Sequence, residues 1–413
     1  MSEHRSGTTE EPLVFNPFAP EVRADPYPVY RRMQEEEPTY RSPLGFHVFT
    51  RYDDCLTVLK HPQMSSDMRH GAGYAEFLEQ QPAAKRMAAA MEGKRPFLLL
   101  DPPDHTRLRG LVSKAFTPRT VESLRPRIQQ VVDELIDDIQ PKGAMEVVED
   151  LAYPLPVVII CEMLGVPPSD HERFKGWSRD LARGLDPDFV QPVEALERRF
   201  ETVLAFHEYF RELIARRRSD PGDDLLTALV HAEEHGDTLS EDEVLGTCTL
   251  LLVAGHETTV NLIGNGVLAL LRHRDQLERL WADRGLIKSA VEEILRFDPP
   301  VQFDGRVAMA PIEVGGVTVA QGEQPLLILA AANRDPSQFD APDTFDIARA
   351  DNRHLSFGHG LHFCLGAPLA RLEGQLALGT LVGRLPLMEL ATDEPVYKEN
   401  LILRGLASLP VTF

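Results

Sequence analysis

Hydrophobic residues recur at helical spacing through much of the first two thirds of the chain. Between Thr120 and Ile139 they fall at Val121, Leu124, Ile128, Val131, Val132 and Leu135, one stripe of a helix that Pro141 and Gly143 close. The same spacing predicts a helix from Glu194 to Arg217. The longest predicted helix follows Leu239. Ser240 is placed to cap it, Glu243 to complete a capping box, and Glu241 and Asp242 to put negative charge in the first turn. No proline intervenes before Leu271, so the segment runs for about 30 residues, or about 45 Å at 1.5 Å per residue. His256, Glu257 and Asn261 interrupt its apolar run, which a bilayer would make costly, so the pattern describes a buried central helix rather than a membrane span.

Strand patterns are shorter. Tyr40 to Thr50 alternates as a hairpin turning at Ser42-Pro43-Leu44-Gly45, and two β-type runs, Val307 to Ala310 and Val317 to Ala320, are separated by a Gly315-Gly316 turn. Leu326 to Ala332 fits a strand or a buried helical turn equally well. A coil-like stretch from Asp335 to Gly360 precedes a last helix from Ala367 to Leu381. Met1 to Arg23 reads as a loose arm on a body that begins near Pro26. The expected fold class is mainly α with a minor β part, in one domain spanning residues 1–413.

Composition narrows the function. The 64 Asp and Glu against 43 Lys and Arg give a net charge of -21, which repels a phosphate backbone and argues against a nucleic-acid partner. The N-terminus has no apolar run behind a basic start, so a cytoplasmic location with no membrane partner is expected. Cys55, Cys161, Cys248 and Cys364 lie far apart and form no C-x-x-C pair, which removes most of the case for structural zinc or a disulfide framework.

The exception among them is Cys364, in Phe357-Gly358-His359-Gly360-Leu361-His362-Phe363-Cys364-Leu365-Gly366. Glycines let backbone approach a bulky planar ligand, and amide donors at the start of the following helix are expected to lower the thiol pKa. The other three cysteines read as small buried hydrophobes. A second cluster, Ala254-Gly255-His256-Glu257-Thr258-Thr259, lies in the long helix. Ala254 and Gly255 leave room for a small molecule, while Glu257 and Thr258 offer an acid and a hydroxyl in the same turn.

With these two motifs on view, the chain resembles the cytochrome P450 superfamily, in particular its soluble bacterial haem-thiolate monooxygenases of actinobacterial type, over essentially its full length. Phe357, Gly358, Gly360, Cys364 and Gly366 match that family's haem-binding loop, and His362 stands where a basic residue usually meets a haem propionate. The resemblance implies the P450 fold, with haem b (iron protoporphyrin IX) between the central helix and the cysteine loop and Cys364 as axial ligand to iron. It assigns Glu257 and Thr258 to the acid-alcohol pair that guides protons, with Ala254 and Gly255 beside the oxygen site. It assigns His105 and Arg109, four apart in Asp101-Pro102-Pro103-Asp104-His105-Thr106-Arg107-Leu108-Arg109, to the propionates together with Arg306 and His362. Glu293 and Arg296 match its E-x-x-R element, a structural pair that engages Arg349 or a neighbour.

The implied reaction inserts one oxygen atom of O2 into an organic substrate. The chain carries no flavin or nicotinamide fingerprint, so electrons are expected from a separate ferredoxin served by an NAD(P)H-dependent ferredoxin reductase. A positive patch of Arg353, His354, His359, His362 and Arg371 is expected to steer that donor. Rival readings are a peroxygenase, which loss of the acid-alcohol pair would favour, a non-enzymatic haem sensor, for which a proton route has no use, and a cysteine hydrolase, for which Cys364 lacks an acid-base arrangement.

Family position places the substrate pocket within Met64 to Leu98, Trp177 to Val193, Leu250 to Thr258, Pro300 to Phe303 and Leu401 to Leu403, with Asp186, Asp188 and Gln302 as polar handles. The loop Gly184 to Asp188 is expected to join two helices that cover the pocket. That mixture suggests hydroxylation or epoxidation of a polyketide- or macrolide-like metabolite, with a steroid or terpenoid as the alternative.

Overall fold

The computed structural model describes residues 13–188, 191–234 and 236–413. Its axis is the helix Glu241–Arg272, 32 residues long, with both halves of the Ser240–Glu243 capping box formed. This helix is buried almost throughout from Val244 to Leu270 and packs against Pro154–Met163 and Ala367–Arg384, the helix that follows the cysteine loop. Among the described residues no helix is long and apolar enough to cross a membrane.

The stripe expected from Thr120 to Ile139 forms two helices, Pro118–Ser123 and Arg125–Ile139. Pro126, in the first turn of the second, has no N–H to give the preceding turn, so a new helix starts there. The helix predicted over Glu194 to Arg217 is Val193–Ser219, and the last predicted helix extends to Arg384.

The hairpin pairs Thr39–Arg41 with His47–Phe49 and is the edge of a four-stranded sheet completed by Leu326–Ile328 and Phe303–Gly305. Both readings of Leu326 to Ala332 occur in succession, a strand to Ile328 and then a helical turn, Leu329–Ala332. One pairing differs from expectation. Across the Gly315-Gly316 turn, Val317–Val319 meets Ile312–Val314, whereas Val307–Ala308 pairs with Met64–Ser65 on a distant segment. Of the expected arm, residues 1–12 lie outside the described residues. Pro20–Ala24 is a short helix with Val22 buried, and the carbonyls of Arg23 and Ala24 accept from Arg404.

The stretch from Asp335 to His359 is free of helix and strand, so its backbone groups need other partners. Arg296 and Glu293, both fully buried, supply them. Arg296 binds both oxygens of Glu293 at 2.8 Å and donates to the carbonyls of Asn333 at 3.0 Å, Pro342 at 2.7 Å and Thr344 at 3.1 Å. Glu293 also accepts from Arg349, Asn352 Nδ2 and the Asp346 N–H. This knot holds the coil against the helix Ile287–Phe297 and sets the position from which the cysteine loop departs.

Candidate active site

Residues Phe357 to Gly366 lead from that coil into the helix Ala367–Arg384. Gly358 and Gly360 have φ of 66° and 74°, and a β-carbon on Gly360 would stand 2.9 Å from the Leu59 carbonyl oxygen, so the tight path requires glycine. The Cys364 N–H donates to the Phe357 carbonyl at 2.9 Å, closing the loop. The Phe357 ring lies under the Arg371 guanidinium, 4.5 Å away. Burial pushes the Cys364 thiol pKa up. The N–H groups of Gly366 and Ala367 and the charges of Arg109 and Arg371 oppose that shift without cancelling it. The expected lowering is therefore corrected: amide donors and positive charges do face the sulphur, but burial outweighs them. The other cysteines are buried, with the Cys161 thiol pushed up by burial to about 12.

The four expected propionate residues gather beside this loop. His105 and Arg109 lie on the helix Asp104–Ala115. The His105 ring is 4.2 Å from that of His362, and Arg109 Nη2 donates to the Phe363 carbonyl at 2.5 Å. Arg306 is buried and donates through Nη1 to Asp304 at 2.6 Å and to the Gly305 carbonyl at 2.7 Å. Both ring nitrogens of His105 and Nδ1 of His362 are buried without a hydrogen-bond partner. Burial and then Arg109 lower the His105 pKa, while burial and the charges of His105 and Arg306 lower that of His362 to about 3, against the pull of Asp101. The unpartnered ring nitrogens of His105 and His362, with the guanidiniums of Arg109 and Arg306 beside them, fit the two carboxylates of haem, which these four residues would hold.

On the central helix, burial relents from Val244 to Leu270 only at Thr249, Leu250, Leu251, Ala254, Gly255 and Thr258. Leu250, Ala254 and Thr258 are four apart and share one face, so Ala254 and Gly255 lie on an uncovered stripe with the Thr258 hydroxyl at its end. That hydroxyl donates to the Ala254 carbonyl at 2.7 Å, the local bond open to any threonine in a helix. Glu257 is 6% exposed and points elsewhere, accepting from Lys398 Nζ. His256 is fully buried. Its Nδ1 is 2.5 Å from Ser178 Oγ, and burial lowers its pKa to about 4, which keeps it neutral.

Two groupings read from the sequence are not formed. The polar handles are consumed by protein partners: Asp186 accepts from the N–H groups of Leu401 and Ile402, Asp188 binds Arg199 at 2.7 Å, and Gln302 bonds Tyr30 and the Pro299 carbonyl. The positive patch is largely neutralised. Glu292 binds both His354 and Arg371, and Arg353 binds Asp351 at 2.9 Å. Burial opposes ionisation of Glu292, but those two partners bring its pKa down to about 2. Trp177, placed at the edge of the pocket by sequence position, packs edge-on against Phe174, Phe206 and Tyr209. The loop after Ala182 does join two helices, His171–Ala182 and Val193–Ser219, although residues 189–190 lie outside the described residues. Lys398 had no signal in the sequence: it lies 141 residues beyond Glu257, in a polar segment without periodicity.

Comparison with known proteins agrees with this geometry. The family model "Cytochrome P450" matches residues 12–411. The polyketide biosynthesis cytochrome P450 PksS of Bacillus subtilis is 39% identical over 413 residues, covering 97% of this chain and 99% of that protein. The vitamin D(3) 25-hydroxylase of Pseudonocardia autotrophica is 41% identical over 419 residues, covering 100% of this chain and 98% of that protein. The solved structure of the bacillaene polyketide synthase cytochrome P450 PksS from Bacillus subtilis superposes with a TM-score of 0.87 at 38% identity, over 97% of this chain and 99% of that one. The chain belongs to the cytochrome P450 family and is a haem-dependent monooxygenase of bacterial type that uses O2, an organic substrate and electrons from redox partners.

Proposed function

We propose that Cys364 is the thiolate ligand of the haem iron and that the substrate is a polyketide- or macrolide-like molecule, which the enzyme hydroxylates or epoxidises. The observation that carries the ligand assignment is the meeting, at one loop, of a cysteine faced by two amide donors and of unpartnered histidine nitrogens suited to propionates. When bound, haem with its thiolate ligand supplies the oxygen activation. The residues of the chain do the rest. Phe357, Gly358 and Gly366 shape the sulphur's surroundings, and His105, Arg109, Arg306 and His362 hold the propionates. Ala254 and Gly255 keep bulk away from the oxygen site, and Glu257 and Thr258 govern proton supply.

The chain works as one catalytic domain, and its electrons come from a small ferredoxin with an NAD(P)H-dependent reductase. The likeness to PksS supports the substrate class. With Asp186, Asp188 and Gln302 engaged by protein, selection rests on shape and apolar contact, which suits a large, mainly apolar molecule. The likeness to the vitamin D(3) 25-hydroxylase favours a steroid or terpenoid as the second reading.

The ligand assignment is tested by Cys364→Ala. The reduced, carbon monoxide-bound protein loses its thiolate absorbance, whereas Cys55→Ala, Cys161→Ala and Cys248→Ala keep it; retention in the Cys364 variant refutes the assignment. The substrate class is tested by titrating macrolactones, steroids and linear fatty acids against the haem absorbance and assaying oxidation of each. Productive oxidation confined to fatty acids overturns both substrate readings.

A further inference from the structure

Glu257 does not bond Thr258 in this structure; its carboxylate is taken by Lys398, whose ammonium also donates to Asn261 Oδ1 at 3.0 Å, one helical turn further on. The lysine side chain is 18% exposed and the glutamate side chain 8%, so the pair is shielded from water and its geometry is well defined. The seat is built by backbone as well. A β-carbon at Gly405 would overlap the Asn261 amide, and the Lys398 N–H donates to the Gly405 carbonyl at 3.0 Å, so the segment carrying the lysine lies directly against the central helix.

The same segment is gripped at its other end. Asp186, buried in the loop after Arg183–Leu185, accepts from Asn400 Nδ2 at 3.2 Å and from the N–H groups of Leu401 at 3.0 Å and Ile402 at 2.8 Å. Only Glu399 separates Lys398 from Asn400, the first of these contacts, so a shift of the loop that loosens Asp186 is passed to the lysine over a few ångströms of chain.

We propose that Lys398 is the positioning residue for Glu257 and that Asp186 latches the segment 400–402 so that the lysine holds the acid in register, linking the loop over the pocket to proton supply. This rests on the reading of Glu257 given above. Lys398 meets the acid, not the reacting atoms, and acts through it.

The test uses the haem-loaded protein reduced through a plant-type ferredoxin and its NADPH-dependent reductase, with no organic substrate added. It reads hydrogen peroxide released per NADPH consumed, which rises when protons are misdirected. In Lys398→Met this yield rises about threefold or more over the unsubstituted protein, since loss of orientation at an acid costs that much or more in proton transfer. Lys398→Arg restores it to within about twofold by keeping the charge. Asp186→Asn raises it by a smaller factor, and adding Lys398→Met to Glu257→Gln changes nothing beyond Glu257→Gln alone, as expected for residues acting as one unit. An unchanged yield in Lys398→Met, or an equal further rise in the Glu257→Gln background, overturns the inference while the acid's role stands. An unchanged yield in Glu257→Gln overturns the reading of the acid and this inference with it.

Discussion

Glu373 is buried beside the central helix with one carboxylate oxygen unpartnered, and burial raises its pKa to about 8 against the opposing Thr259 hydroxyl. The folded chain therefore holds a proton there that the unfolded chain releases near the ordinary value of 4.5. This favours folding fully below that value, and the benefit is lost as pH rises through about 8. Glu373→Gln is expected to flatten the fall in Tm between about pH 5 and 8 and to raise Tm at the alkaline end, as measured by thermal unfolding across that range. An unchanged slope would contradict it. His256 acts in the opposite sense: its pKa is lowered to about 4, so its contribution is lost as pH falls from the ordinary value of 6.5.

The N-terminus of the central helix joins two parts of the site. Ser240 Oγ accepts from the Glu243 N–H at 3.2 Å, and Glu243 returns a bond to the Ser240 N–H at 2.8 Å. Glu243 also receives Arg107, which lies between His105 and Arg109 on the helix Asp104–Ala115. Ser240→Ala removes one cap bond and is expected to cost about 1 kcal/mol in urea unfolding, with Ser240→Asp close to neutral. Glu243→Ala removes the return bond and one of the two acidic partners of Arg107, which keeps Asp237 at 3.4 Å, so its cost exceeds that of Ser240→Ala. Equal costs would mean that the contact with Arg107 adds nothing.

For the molecule as a whole, the knot around Glu293 ties the coil that leads to the cysteine loop to the helix Ile287–Phe297. Removing the carboxylate leaves Arg296 charged, fully buried and without its counter-ion, which costs about 3–5 kcal/mol in comparable buried pairs. Glu293→Ala is therefore expected to yield little folded, haem-loaded protein. Arg296→Lys should fail almost as badly, because an ammonium cannot reach two carboxylate oxygens and three carbonyls together. Haem content per chain and resistance to proteolysis measure both. Normal haem loading in Arg296→Lys would show that the coil from Asp335 to His359 is held by other means.

The sequence alone was enough to identify what is local or periodic: the capped central helix, the hairpin at Thr39–Phe49, the glycine-bound Cys364, and the spacing of His105 with Arg109 and of Glu293 with Arg296. Each is encoded within a few residues, where a repeat, a cap or a turn leaves a composition that can be read. Contacts between distant segments left no such trace. The pairing of Val307–Ala308 with Met64–Ser65, the engagement of Asp186 by residues 400–402, the neutralisation of His354 and Arg371 by Glu292, and the hold of Lys398 on Glu257 all join separate elements. A lysine in a polar segment or an aspartate in a loop has the same local pattern whether it faces solvent, substrate or another side chain. Which of these it meets depends on how the helices pack, because burial removes water as the alternative partner and leaves each charge to the groups the fold brings within reach.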